Sequence, residues 1–342
     1  MFAWTYQEGN PNLKSERANT WTAGIVFTSR AENAWLAGLT GAIDWWKVDL
    51  KDAIQQYSID YARYLCYGTV IVTTPEEAAA QANTEACRNV PRNLANGAAT
   101  TMLLKYDNLA TIATSGVDVQ LNWTAGLSDL GFGNLPGRVG MNVQASILDY
   151  YKTKASPQAF DVETDWKGSL GPTLSGTNPG AYSYRLNTAF SYTLPNMSFS
   201  LRWRHLPSVT TAAAAAERAI VENNERVANG GDGVILSYTP TTAIKAKRYD
   251  IFDLSGTWNA TEHLSLRAGI DNLFDRMPVI TGATAGYPSG TNLSAVCDQA
   301  AEALGCKDPT SLSYPNDGAG TTSAGFYDTL GRRYFLGFKA TF

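Results

Sequence analysis

At 342 residues, 44% hydrophobic and 11% aromatic, with a mean hydropathy of -0.20, the chain holds no run of ~20 apolar residues and so no spanning helix. A formal net charge of -4 and a pI near 5.3 exclude a basic nucleic-acid surface. Two histidines and four scattered cysteines exclude the CxxC and HExxH spacings of metal centres.

In chain order, Met1-Phe2-Ala3-Trp4 has neither the basic start nor the apolar run of a secretory signal. Residues 2–6 read as the stub of a strand. Trp21, Ala23, Ile25 and Phe27 form one apolar strand face, and residues 35–45 form another. Thr74-Pro75-Glu76-Glu77 opens a helix with a cap, a first-turn proline and acidic residues, which runs to about Cys87. Strict alternation then returns at 117–124 (Val117, Val119, Leu121, Trp123) and at 139–147 (Val139, Met141, Val143, Ala145, Ile147). Residues 182–192 and 198–205 alternate in the same way around a tight Pro195-Asn196 turn. An alanine-rich helix is predicted over 211–228, as plain helical filler or as a binding element, and it stops at Asn229-Gly230-Gly231. Strands follow at 252–258 and 264–270, a third helix at 294–304, and a final strand at 332–342 that ends the chain on an aromatic.

About nine strands of roughly ten residues result, the length that a tilted strand needs to cross a bilayer. The connections between them alternate. Those after Phe27, Trp123, Tyr192 and Trp258 are short, and those after Val48, Tyr151, His205 and Asn272 are long. An outer-membrane barrel has this pattern, with short periplasmic turns and long external loops, whereas a soluble sandwich has no reason for it. The expected fold is therefore all-β, an antiparallel transmembrane β-barrel portion of about 9–10 meandering strands whose long loops carry short helices.

That polarity assigns side chains. Arg185, Arg202, Arg204, Arg267 and Arg333 project to the polar, lumen-facing side, where they either meet an anionic ligand or a domain seated inside the barrel, or pair with Asp118, Asp253 and Asp271 in a wet wall. Trp4, Trp21, Trp35, Trp45, Trp123, Trp203 and Trp258 read as anchors at the membrane interface. Trp166, in a long loop, is the tryptophan placed to stack on a ligand. Asp44, Asp49 and Asp52 have no nucleophile, histidine or metal ligand beside them in sequence, and Asn-x-Ser/Thr matches at Asn122, Asn196, Asn259 and Asn292 read as chance. No enzyme activity and no cofactor are expected. Cys66 and Cys87 share one external loop, and Cys297 and Cys306 share another, on the oxidising side of the membrane. Of the three possible pairings, Cys66–Cys87 with Cys297–Cys306 avoids joining distant loops; four unpaired thiols in a cytosolic protein are the alternative.

Three segments, GNPNLKSERANTWTAGIVF (9–27), DNLFDRMP (271–278) and YDTLGRRYFLGFKATF (327–342), resemble the C-terminal half of TonB-dependent outer-membrane receptors. Ser15 stands where that family commonly has proline, Asp271 where it has glutamate, and Ala340 where its terminal assembly signal has an aromatic. The resemblance implies that residues 1–342 are the C-terminal part of a receptor barrel, with the plug domain and N-terminal strands outside this sequence. It also implies a bacterial outer-membrane location, contact with outer-membrane lipid, and a TonB complex acting through the plug. The implied function is active import of a scarce ligand such as a siderophore or glycan. The abundance of Ser, Thr, Asn, Gly and Tyr in the loops leans toward an oligosaccharide or another neutral small molecule. Two alternatives remain, a complete small pore or adhesin barrel and a soluble β-rich glycan-active protein.

Overall fold

A computed structural model describes residues 4–68, 72–92, 101–133, 135–172, 180–238, 245–279 and 326–341. The elements in order are β1 (Trp4–Glu8), β2 (Arg17–Thr28), α1 (Ala34–Ala37), β3 (Leu39–Gln56), α2 (Ile59–Tyr67), α3 (Pro75–Ala82), α4 (Glu85–Arg88), β4 (Thr101–Gly126), β5 (Arg138–Lys154), β6 (Thr164–Asp165), β7 (Tyr184–Thr193), β8 (Met197–Leu206), β9 (Val209–Thr210), α5 (Ala212–Ala228), β10 (Lys245–Ala246), β11 (Tyr249–Asn259), β12 (Leu264–Asp271) and β13 (Arg333–Ala340). No helix among the described residues is long and apolar enough to cross a membrane.

Nine of the strands form one path in the order β13-β12-β11-β8-β7-β5-β4-β3-β2, and every pairing along it is antiparallel. Because side chains alternate with period two, the register decides which residues share a face. Tyr334, Ile270, Leu254, Leu201, Phe190, Met141, Trp123 and Leu39 lie directly opposite one another in sequence across eight strands, a single apolar row. Among the described residues this face is largely uncovered: Leu336 is 82% exposed, Phe338 79% and Ile25 72%. Contiguous apolar surface on this scale needs an apolar surrounding.

The short connections close tightly at one end of the sheet. Leu194 N–H donates to the Met197 carbonyl at 2.7 Å around Pro195-Asn196. Between β2 and β3, the predicted strand over 35–45 starts late. Asn33 accepts from the Trp35 N–H and starts the four-residue α1, so Trp35 sits in a helical turn and the strand begins at Leu39. Trp35 stacks on Trp123 at 6.3 Å, and Trp123 Nε1 donates to the Trp35 carbonyl. Such a stack contributes about 0.5–1.5 kcal/mol beyond area burial.

At the long-loop end the strands outrun the ten residues expected. β3, β4 and β5 have 18, 26 and 17 residues, and Asp52, at φ 55, marks the register shift where β3 passes from one region to the other. Residues 4–8 do form a strand, but β1 pairs parallel with the outer extension of β4 (Trp4 opposite Thr101) rather than extending the meander beside β2. The helix expected from Thr74 has its full capping box with Glu77, then breaks where Thr84 caps α4. α2, capped by Ser58, buries Tyr61, Ala62 and Cys66 on its inner face. Cys66 and Cys87 are bonded, with Cα atoms 4.6 Å apart, and staple α2 to α4 around α3. Cys297, Cys306 and the helix expected at 294–304 lie outside the described residues. The alanine run is not idle filler. Ala215, Ala219 and Asn223 are buried along one face of α5, and Arg218 reaches the Asp165 carbonyl of β6.

Candidate functional site

The face opposite the apolar row is polar, and three cross-strand rows build it. The uppermost runs Asp44, Asp118, Ser146, Arg185. The next runs Gln120, Gln144, Asn187, Arg204, Ile251, and the third Asn122, Asn142, Ala189, Arg202, Asp253. Each row takes its residues from the polar positions of the alternating strands, so the composition of the face follows from the same period that made the other face apolar. A cavity of 460 Å³ opens on the first two rows at the long-loop end, and Leu206, Tyr249 and Phe326 are among the other residues that line it.

The arginines are largely committed. Arg204 makes a bidentate fork with Asp253 (Nε 3.0 Å, Nη2 3.1 Å), and Arg202 Nε donates to the same carboxylate at 3.0 Å. Arg185 Nη2 donates to the Gly180 carbonyl at 3.0 Å while its guanidinium lies over the rings of Tyr182 and Phe326. Arg333 pairs with Asp328 at 3.0 Å and with Asp271 at 3.8 Å, and Arg267 covers the Phe335 ring at 5.4 Å. Pairing with Asp253 and Asp271 therefore matches expectation, but Asp118 takes no arginine. It accepts the Ser146 hydroxyl at 2.6 Å instead, because Ser146 is the residue opposite it. Trp166 is half-buried, and its indole N–H is spent on Thr153 Oγ1 at 2.8 Å. Asp44 lies flat over Gly24, where a Cβ would collide with its carboxylate.

The sequence motifs turn out to be joints. Asn272 is fully buried at φ 54; its N–H donates to Asp253, and its side chain closes on Arg276 through both its carbonyl and its amide. Asp275 accepts the Arg332 N–H, so the DNLFD segment that ends β12 is tied to the GRR segment that starts β13. Asn10, Lys14 and Glu16 of the first motif bond Tyr106, Asn108 and Ile54, which fixes the start of β2 against β3 and β4. Beside the cavity, the Tyr182 hydroxyl donates to Tyr327 at 3.1 Å, and burial pushes both phenols up.

One cluster carried no sequence signal of its own. On the apolar face, at the long-loop end, His205 Nδ1 lies 2.7 Å from Asp250, Tyr184 lies 3.0 Å from His205 Nε2, and Trp203 Nε1 donates to Asp250 at 2.9 Å. His205 continues the alternation of Leu201 and Trp203, and only the register shows that Tyr184 and Asp250 flank it. No group of histidine, cysteine and carboxylate residues suited to a metal occurs among the described residues.

A model of the β-barrel of TonB-dependent receptor-like proteins matches residues 1–273. Among solved structures, the ferric enterobactin receptor of Pseudomonas aeruginosa in its R480A form with enterobactin bound is similar at 15% identity and a TM-score of 0.51; 99% of this chain and 34% of that one are covered. The same receptor in complex with BCV-L6 is similar at 14% identity and a TM-score of 0.51, with 99% and 34% covered. The chain thus spans about a third of the length of these receptors, and the likeness is one of fold. A comparison of the sequence with curated proteins finds no match.

Proposed function

The chain belongs to the TonB-dependent receptor-like β-barrel family, and we propose that it forms the C-terminal wall and external loops of an outer-membrane receptor that imports a scarce small solute with TonB-coupled energy. In this reading residues 1–342 are barrel, and a plug and further strands come from sequence outside it. The observation that carries it is the apolar row across eight strands backed by a charged and carboxamide-rich face, the arrangement of a wall between lipid and a wet lumen. Arg185, Arg202, Arg204, Arg267 and Arg333 are then lumen-wall residues, the long loops are extracellular, and Trp166 sits on the loop side from which ligand arrives. The enterobactin bound by the Pseudomonas aeruginosa receptor supports a small external solute as cargo. No catalytic role is assigned.

The test uses the complete gene in its host. Its deletion should abolish growth on one limiting solute from a panel of ferric siderophores, cobalamin and oligosaccharides, and deletion of TonB should do the same. Uptake that continues without TonB, or a product found in the soluble fraction, would overturn the reading.

A further inference from the structure

We infer that Arg17 and Lys51 form a site on the outward face of the barrel for the phosphate groups of an outer-leaflet lipid, an inference that rests on the apolar face meeting lipid and the long loops lying outside. The register puts both residues on that face. Asn19 and Arg17 continue the positions of Ala23 and Trp21 on β2, and Lys47, Asp49 and Lys51 continue that of Trp45 on β3. Trp21 stands opposite Lys47, and Arg17 stands opposite Lys51. Trp21, 68% exposed, lies at the level of the membrane interface. Arg17 is about 13 Å farther along the strand, which is roughly 9 Å in height at a tilt of about 45°. Long basic side chains reach from there into the headgroups, just above the acyl chains.

The two cations are not matched within the described chain. Like charges directly opposite on antiparallel strands repel. Yet Arg17 and Lys51 are both exposed, and neither has an ion pair or a side-chain hydrogen bond among the described residues. The carboxylates next to them in sequence give no relief. Glu16 accepts the Ile54 N–H, and Asp52 sits in the register shift of β3 with no ion pair to either cation. Other cations of the same face are paired, Lys47 with Asp49 at 2.9 Å and Lys152 with Glu163 at 3.2 Å.

An anion seated between Arg17 and Lys51 turns one repulsion into two attractions. Phosphate suits the pair, because the guanidinium fork takes two oxygens and the ammonium takes a third as a point charge. The surface directly below favours a lipid over a free ion. Ile25 is 72% exposed, Ile43 48% and Trp45 40%, all on the same face, so one amphiphile meets the cations with its phosphate and the apolar positions with its chains.

The test is native mass spectrometry of the receptor produced from its complete gene, in detergent, titrated with bisphosphorylated lipid A, lipid A stripped of both phosphates, phosphatidylglycerol and inorganic phosphate. Bisphosphorylated lipid A should form a saturable adduct at least about tenfold tighter than the stripped form. Arg17→Gln and Lys51→Gln should each weaken it about fivefold, and the double variant at least about tenfold. Lys51→Arg keeps the charge and should keep the affinity. Arg248→Gln, which removes an exposed cation just before β11, should leave it within about twofold. Unchanged affinity in a double variant with wild-type heat-modifiability would overturn the site, and so would loss of affinity in Lys51→Arg or tight binding of the stripped lipid. Equal affinity for phosphatidylglycerol would reduce the pair to a general attraction for anionic lipid, and equally tight inorganic phosphate would overturn the lipid as occupant. Uptake without TonB would overturn the transport reading and leave this site standing, whereas loss of lipid selectivity with TonB-dependent uptake intact would overturn the site alone.

Discussion

Replacing Asp253 by leucine removes one carboxylate that ties β11 to both β8 and the end of β12. Its oxygens accept from Arg202 and Arg204 of β8 and from the backbone N–H of Asn272 just after β12, and its side chain is 8% exposed. The Asn272 amide is buried, so losing a charged acceptor costs about 1.5–3 kcal/mol. The guanidinium groups are 48% and 40% exposed, solvent screens them, and each pair contributes no more than about 1 kcal/mol. Asp253→Leu should therefore destabilise the barrel by about 1.5–5 kcal/mol. Asp253→Asn keeps an oxygen for the Asn272 amide and gives up mainly the screened pairs, so its cost should be about 1–2 kcal/mol. Urea unfolding of the complete receptor in detergent, followed by tryptophan emission, measures both. If the asparagine variant is as damaged as the leucine variant, the buried amide is not what the carboxylate serves, and the division of energies is wrong. High salt should lower the stability of the wild type by up to about 1–2 kcal/mol and barely touch Asp253→Asn; the opposite pattern would refute the screening.

Leu201→Arg puts a charge in the apolar row and should cost roughly 2–4 kcal/mol, whereas Ser200→Arg on the other face should cost well under half of that; heat-modifiability on gels ranks the two, and equal losses would reverse the face assignment. Cys66→Ser/Cys87→Ser should free the α2–α4 insert at an entropic cost on the order of 3 kcal/mol, seen as new tryptic cleavage at Arg63 and Arg88 in otherwise intact protein. Glu77 accepts from the Thr73 and Thr74 amides and the Thr73 hydroxyl, which hold its carboxyl below the usual range. The stabilisation of α3 is therefore complete above the ordinary glutamate range and is lost as pH falls through the lowered folded value. Amide exchange at Thr73 and Thr74 should speed up on acidification in the wild type and be flat with pH in Glu77→Gln, after correction for the intrinsic rate. Gly24→Ala should displace the Asp44 carboxylate from its seat, readable as a changed Asp44 side-chain NMR resonance without loss of fold.

Alternation located the nine strands of the path and which residues share a face, and connection length the end at which the long loops lie, because a period of two commits every second residue to the same environment wherever a strand pairs; the late start of β3 and the outer extensions of β3, β4 and β5 were not in the pattern. Local capping chemistry likewise placed α3 and α5 at Thr74 and Thr211. What the sequence left open depends on register and on contacts between distant segments. That Asp118 meets Ser146 rather than an arginine, that Asp253 is shared by two arginines and a buried amide, and that Gln120, Gln144 and Asn187 form one row all follow from pairings between residues far apart in the chain. The same holds for β1, which local sequence makes a strand but only tertiary pairing sets parallel to β4. A one-residue slip would send the carboxamides to the apolar face, and no local pattern encodes which slip the turns and long loops permit.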